Sequence, residues 1–493
     1  MEKDTRTSEA RVGSDPGESG LLVGRSVSRR EFLKVAGIAG ATVGLGAGLG
    51  GLLAACGGGT TTTTAAATTS TSAGGATTTA GVTTTAGATT TVVTSAEVGD
   101  AVKLGYVVPI TGASGAFGAA AQWHAAWFKQ NVWKDALLCG DGKKHPIDLS
   151  LADMQTDANR AAQVAGDLIT NTGVVLLGSS SGISVPPVRD QAEAMGCPCV
   201  SYDCPGEIFV QVQPKTGYKW NWATWFVLKD LVTNFGGMWS TFPTNKTVGT
   251  FFGNDTTGIA FQKGLEPAFK ALGYNIVDPG LFNDGQEDFT QIISLFKSKG
   301  CEILDGVPTP PDFSNFWKQA VQQGLRVKVS TMSQAMLFPQ GVNALGDLGQ
   351  GQTVECWFHP SFPYTSTVPG LTAQQVADLY SQSTNQQWTQ PVCYFGQFEI
   401  FTDILQRVKD PSSKDSIVEA IKQTNMTTIG GPVNWTVDPE PYSGFHNWCT
   451  KPITGGQWVK GTGKYKYDLQ IVANVTAPAI KTTAPMIQVV YPS

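Results

Sequence analysis

Residues 174–205, VVLLGSSSGISVPPVRDQAEAMGCPCVSYDCP, limit what this chain can fold into more than any other stretch. The run VVLL is apolar without alternation, the mark of a strand covered on both faces, and a second apolar run, CPCVS, follows a polar loop and a helical segment. Strand, helix and strand in that order make one βαβ unit, and open parallel sheets bind their ligands in the loops at the carboxyl ends of their strands. The two loops here, residues 178–182 and 201–205, should lie side by side and form half of a small-molecule cleft. The other half is expected from a second α/β lobe further along.

The same alternation extends in both directions. VKLGYVVPI (102–110) reads as a β-branched strand running into the loop TGASGAFG, and Trp123, Ala126, Trp127 and Gln130 then recur at helical spacing. A strand at 147–152 leads to Asp157, a candidate N-cap for a helix with Ala161, Val164 and Leu168 on its apolar face. The rhythm resumes with a strand at 247–252 and three helices, carrying Phe261, Leu265, Phe269 and Leu272, then Phe289, Ile292, Ile293 and Phe296, then Phe313, Phe316, Trp317 and Ala320. Gly273, Gly300 and Gly324 follow them, where glycine suits a left-handed C-cap. Two separate βα arrays predict an α/β protein of two doubly wound, Rossmann-like lobes.

Everything before residue 100 has a different composition. SRREFLK (28–34) resembles the twin-arginine export signal, with the pair at Arg29 and Arg30. A glycine-rich apolar run, 35–53, leads into LAAC, which resembles a lipobox, so the signal peptide is expected over 1–56, ending at Cys56, the lipidated amino terminus of the mature protein. Residues 57–100 are almost wholly Thr, Ala, Gly and Ser, too polar for a core. They read as a tether with a coil dimension of about 35 to 40 Å.

At 493 residues the chain has room for two or three domains, and its net charge of −5, with scattered Lys and Arg, carries no footprint for nucleic acid. Eight further cysteines, at 139, 197, 199, 204, 301, 356, 393 and 449, permit disulfides in an exported chain but assign none. Cys197, Cys199 and Cys204 lack both a zinc-site spacing and a nearby histidine, so no metal is expected.

Taken in order, VKLGYVVPITG, LADMQTDANRAAQVAGDLI, VVLLGSSSG, MGCPCVSYD, GNDTTGIAFQKGLEPAFKALG, DSIVEAIKQTNMTTIGGPVNW and GGQW resemble the type I periplasmic binding proteins of ABC importers, in the branch that includes the leucine/isoleucine/valine binders. The likeness covers about residue 101 to the end. It implies three crossings between the lobes, near Phe235, His359 and Pro432, with 101–235 and 360–432 in lobe 1 and 236–359 and 433–493 in lobe 2. It also implies a monomeric extracytoplasmic protein, held to the membrane by lipid at Cys56, that hands a small polar solute such as an amino acid, amide or polyol to an ABC permease. Neither cofactor nor catalysis belongs to that role.

The resemblance also names residues. In the family's amino-acid binders the loop matching Ser179, Ser180 and Ser181 holds the ligand carboxylate with hydroxyls and amides at a helix start. The next strand end, Ser201, Tyr202 and Asp203, departs from the family's small and hydroxyl-bearing residues. A carboxylate at Asp203 would repel a ligand carboxylate and favour an ammonium, a guanidinium or paired hydroxyls. In the second lobe Thr257, in NDTTG, matches an aromatic or polar ligand-binding position, and Trp222, with Trp220 and Trp225, is a candidate aromatic wall.

Two other readings share these residues. GSSSG (178–182) fits the nucleophile elbow of an α/β-hydrolase, with Ser180 as nucleophile and His359 or His446 as base. Against it, no HGGG-like oxyanion segment is present and Pro186 and Pro187 interrupt the helix that should follow. A ligand-sensing ectodomain feeding a signalling partner would have the same fold as a transport protein.

Overall fold

The computed structural model describes residues 96–437 and 445–492. Arg29, Arg30, Cys56 and most of the tether lie outside these residues. The docked chain begins before residue 100: the Gly99 amide donates to the Lys144 carbonyl at 2.9 Å, and the Lys144 amide donates to the Glu97 carbonyl at 2.8 Å. The expected tether therefore ends short of its predicted boundary.

The strands of the first half are β1 (Val102–Val108), β2 (Leu137–Leu138), β3 (Lys144–His145), β4 (Ile147–Asp153), β5 (Leu176–Ser180), β6 (Cys199–Tyr202) and β7 (Asn221–Trp225). The second half carries β8 (Thr247–Phe251), β9 (Asn275–Val277), β10 (Ile303–Gly306), β11 (Val329–Met332), β12 (Thr353–Cys356), β13 (Asn425–Thr428), β14 (Gly431–Asn434), β15 (Trp448–Thr450), β16 (Thr454–Lys460) and β17 (Tyr467–Ala473). One sheet runs β15-β7-β6-β5-β1-β4, parallel throughout. The other runs β17-β16-β12-β11-β10-β8-β9, parallel from β12 to β9, with β16 antiparallel to β12. The strand order reverses between β1 and β5 in the first sheet and between β8 and β10 in the second. Such switch points are where open sheets leave a crevice for a ligand.

Local chemistry agrees with this architecture. Asp157 caps its helix by accepting from the Arg160 amide at 2.8 Å, and Gly273, Gly300 and Gly324 have φ of 82°, 64° and 78°. Phe251 stacks between Phe282 and Phe316, both with ring centroids at 4.2 Å, and so anchors β8 to the segment after β9 and to helix Pro310–Gln322. Among the described residues no helix is long and apolar enough to cross a membrane.

Strand membership moves two of the three expected crossings. Helix Leu228–Trp239, which contains Phe235, packs on the second sheet, where Trp239 Nε1 donates to Thr331 Oγ1 at 2.8 Å. The first crossing thus comes earlier, at Phe226 and Val227. β14 pairs with β13 in a hairpin, and β15 then joins the first sheet beside β7, so the last crossing is at 451–453 and not at Pro432. A three-residue edge strand such as WCT is too short to show any periodicity in sequence. The second crossing leaves β12 through Trp357, Phe358 and His359.

Candidate functional site

The two loops of the opening βαβ unit meet at the carboxyl ends of β5 and β6, where the Ser181 amide donates to the Tyr202 carbonyl at 3.3 Å. Ser179, Ser180 and Ser181 are all buried, and their hydroxyls are already engaged. Ser184, just ahead of helix Val185–Met195, receives a bond from Ser179 Oγ at 2.9 Å and lies 3.1 Å from Ser181 Oγ, while Ser180 Oγ accepts from Tyr106 Oη at 2.8 Å. Ser181 has φ of 97°, outside the usual range for a residue with a side chain, so the loop is held in shape by its bonds. Of the three serines, only Ser180 faces a group from another strand of the sheet, through β1.

Asp203 follows directly on β6 and is also left-handed, with φ of 59°. Its carboxyl accepts from Tyr394 Oη and is raised well above the ordinary carboxylate range, first by burial and then by the negative charge of Glu355. Asp203 belongs to lobe 1, whereas Glu355 is the penultimate residue of β12 in lobe 2. Glu355 Oε2 accepts from Ser333 Oγ at 2.6 Å, and burial pushes its carboxyl up to about 7. Asp305, penultimate in β10, lies on the same side of the second sheet and is raised by burial, Glu355 and Glu266. Carboxyl groups from both lobes thus converge at the strand ends.

Rings enclose this convergence on the hinge side. Trp357 stacks on Tyr394 with centroids 5.9 Å apart and planes 5° apart, and Trp225 meets Trp357 edge-on at 4.9 Å. Tyr202 packs against both Trp225 and Tyr394, and its hydroxyl accepts from Lys451 Nζ at 2.5 Å. Lys451 stands on the last crossing, 2% exposed, with its ammonium lowered to about 8 by burial. Across the mouth, Phe117 of lobe 1 meets Phe338 of lobe 2 at 5.0 Å, so the lobes touch on that side as well.

A profile of the periplasmic binding proteins matches residues 101–442. The chain belongs to that family. It is a two-lobed α/β solute-binding protein of the ABC-transporter type, a class that binds small molecules outside the cytoplasm and works with ABC permeases. No curated protein matches it in sequence. Among solved structures, the leucine-binding protein LivK of Thermotoga maritima is 17% identical with a TM-score of 0.61, covering 76% of this chain and 99% of its own. A solute-binding protein of an ABC transporter from Rhodopseudomonas palustris, in complex with 3,4-dihydroxybenzoic acid, is 18% identical with a TM-score of 0.60, covering 77% and 99%. LivJ of Streptococcus pneumoniae, in complex with isoleucine, is 16% identical with a TM-score of 0.58, covering 76% and 99%.

Within this periplasmic binding protein the sequence-derived candidates fall into two groups. Ser179, Ser180, Ser181, Ser201, Tyr202 and Asp203 gather at the ends of β5 and β6, and Thr257 stands in the first turn of helix Thr256–Ala271, where its amide donates to Asp255 Oδ1 at 2.7 Å. Trp222 does not join them. It is buried near the amino end of β7, and the strand's carboxyl-end aromatic is Trp225. Tyr106, Glu355, Asp305, Trp357, Tyr394 and Lys451 were not singled out from sequence. The available signal was an ionisable residue inside a short apolar strand, as in ILDG and TVEC, because burying a charge is costly unless it is paired and hydrogen-bonded.

Ser180 and His359 are not paired as a hydrolase nucleophile and base. Ser180 Oγ is bonded to Tyr106, while the ring nitrogens of His359 lie 2.8 Å from Ser361 Oγ and 3.0 Å from the Leu469 carbonyl, and burial lowers that imidazole to about 4. All eight cysteines among the described residues are buried thiols, and no group of His, Cys, Asp and Glu among those residues has a metal-holding arrangement.

Proposed function

We propose that this periplasmic binding protein captures a small polar solute between its lobes, closes on it, and delivers it to an ABC permease without chemical change. The observation that supports this reading is the approach of Asp203 and Tyr394 from lobe 1 to Glu355 and Ser333 from lobe 2 at the carboxyl ends of the strands, with Ser180 on the neighbouring strand β5. Ser179, Ser181, Ser201 and Tyr202 lie at the strand ends of lobe 1, Thr257 stands at the start of the helix after β8 in lobe 2, and Trp225 takes the place expected of Trp222. A ligand that touches both walls favours the closed form by its differential affinity, which is all a ligand can contribute to such an equilibrium.

A library thermal-shift screen identifies the solute, since a ligand that binds only the native form raises its unfolding temperature. Small-angle scattering with that solute should then show a smaller radius of gyration at saturation. An unchanged radius would remove the closure model, and labelling of Ser180 by a serine-hydrolase probe would replace capture by catalysis.

The protein acts as a monomer anchored by lipid at Cys56 after twin-arginine export, a reading supported by SRREFLK and LAAC. Mass spectrometry of the membrane-bound protein should find an acylated Cys56 at the amino terminus, and Cys56→Ser should release the protein from membranes. Recovery of an intact Met1, or of a membrane-bound Cys56→Ser protein, would sink the anchor.

A further inference from the structure

From the pairing of carboxyl groups across the lobes we infer that the captured solute is an organic cation, an ammonium or guanidinium compound, whose charge lies between Asp203 and Glu355. This deepens the capture reading and rests on it. Three buried carboxyl groups, Asp203, Glu355 and Asp305, occupy strand ends of the two sheets, and each is raised first by burial, Asp203 and Asp305 further by the charge of Glu355. Among the described residues no Lys, Arg or His acts on any of them.

Asp305 is fully buried with both oxygens outside hydrogen-bonding geometry of any donor, the Gly306 amide being the one group that favours its charge. A buried carboxyl left in that state lacks a positive partner. The other groups around the set do not supply one. Tyr106, Tyr394, Cys204, Cys356 and Cys393 are kept neutral by burial, and Glu266 is already bonded by Thr250 at 2.9 Å and lies 3.7 Å from Lys270. The buried ammonium of Lys451 is turned to Tyr202, and the groups it acts on include Glu399, Cys393 and Cys449 but none of the three carboxyls.

The rings point the same way. Tyr394 binds Asp203 with its hydroxyl and presents one face to Trp357, with Trp225 next in line. Carboxyls beside aromatic faces form the environment that attracts organic cations, through ion pairing and through the ring quadrupole. They would reject a carboxylate solute, because its negative charge would meet carboxyl groups whose own ionisation is already opposed by burial. Where the pH is high enough to ionise Glu355, its charge opposes closure in the absence of a cation, and the solute's charge offsets it.

The test is a thermal-shift and titration-calorimetry panel on the purified chain, with agmatine, putrescine and choline set against leucine, 4-hydroxybenzoate and glycerol. At least one cation should raise the unfolding temperature while the three comparators do not. Asp203→Asn and Glu355→Gln, which keep shape and remove charge, should each weaken that cation by roughly 10- to 150-fold, the range for hydrogen bonds to a charged group. A reading that needs no ligand accompanies it: at pH 8 the ligand-free Glu355→Gln protein should have a smaller radius of gyration than the parent, with an unchanged circular-dichroism spectrum. Binding of 4-hydroxybenzoate or leucine in place of every cation overturns the inference and leaves capture standing. Binding of a cation that ignores both substitutions also overturns it, as does a panel with no cation response and no change of radius. A solute that binds without changing the radius of gyration counts against capture by closure instead.

Discussion

Replacing Trp357 by alanine should cost about 3–5 kcal/mol of stability, the range for truncating a buried Trp or Phe, and should also loosen the joint between the lobes. Trp357 begins the second crossing and is 2% exposed. Its ring lies on Tyr394 and against Trp225, and its amide accepts no slack, since it donates to Gln390 Oε1 at 2.8 Å while Gln390 Nε2 donates to the Glu355 carbonyl at 2.9 Å. Trp357 is therefore a linker residue with the packing of a core residue. Urea unfolding measures the first effect, and small-angle scattering of the ligand-free protein measures the second as a larger radius of gyration. A loss under about 1 kcal/mol, well below the cavity range, would show that the crossing carries little of the packing ascribed to it.

Raising the pH from 4.5 to 7 should weaken the fold through Glu355 by roughly 3 kcal/mol, at about 1.4 kcal/mol for each unit by which its carboxyl is raised. The sign follows from the direction. Burial lifts the carboxyl from 4.5 to about 7, so the stability it contributes is whole below its unfolded value and is lost as pH rises through its folded value. Asp203, Asp305 and Glu399 are raised too and act in the same sense. Lys451, lowered from 10.5 to about 8, stays charged throughout that window and changes only above it. Urea midpoints of the parent and Glu355→Gln proteins from pH 4.5 to 8 separate the contribution, because the variant should lose part of the slope. Equal slopes would mean that Glu355 is not held protonated by its surroundings. In a cell, a solute cation arriving at such a carboxyl takes the place of its proton, so solute binding at neutral pH would carry proton release with it.

Much of the fold was legible because its signals are local. An unalternating apolar run can be only a doubly covered strand or a buried helix segment, and its length together with a following Gly/Ser loop decides for the strand. Glycine after a helix and aspartate before one act within a single turn, as Gly300 and Asp157 do. The odd residue at the end of β6, Asp203, could be singled out because its neighbours were matched motif by motif. The crossings were harder, since β15 owes its place in the first sheet to pairing with β7, far away in the chain. Trp222 and Trp225 lie in one strand, and only the direction of β7 in the sheet shows that Trp225 is at the cleft end.

By itself the sequence determined the βα alternation, the two lobes, the polar loops at their strand ends and the family, since each follows from periodicity, turn chemistry or motif order. What only the tertiary structure decided is the company those loops keep. Tyr394 reaches Asp203 from 191 positions away, and Lys451 reaches Tyr202 from 249. Glu355 faces Asp203 from the other lobe. Electrostatic and packing energies depend on distance through space and on burial, and neither is encoded in any local pattern of the chain.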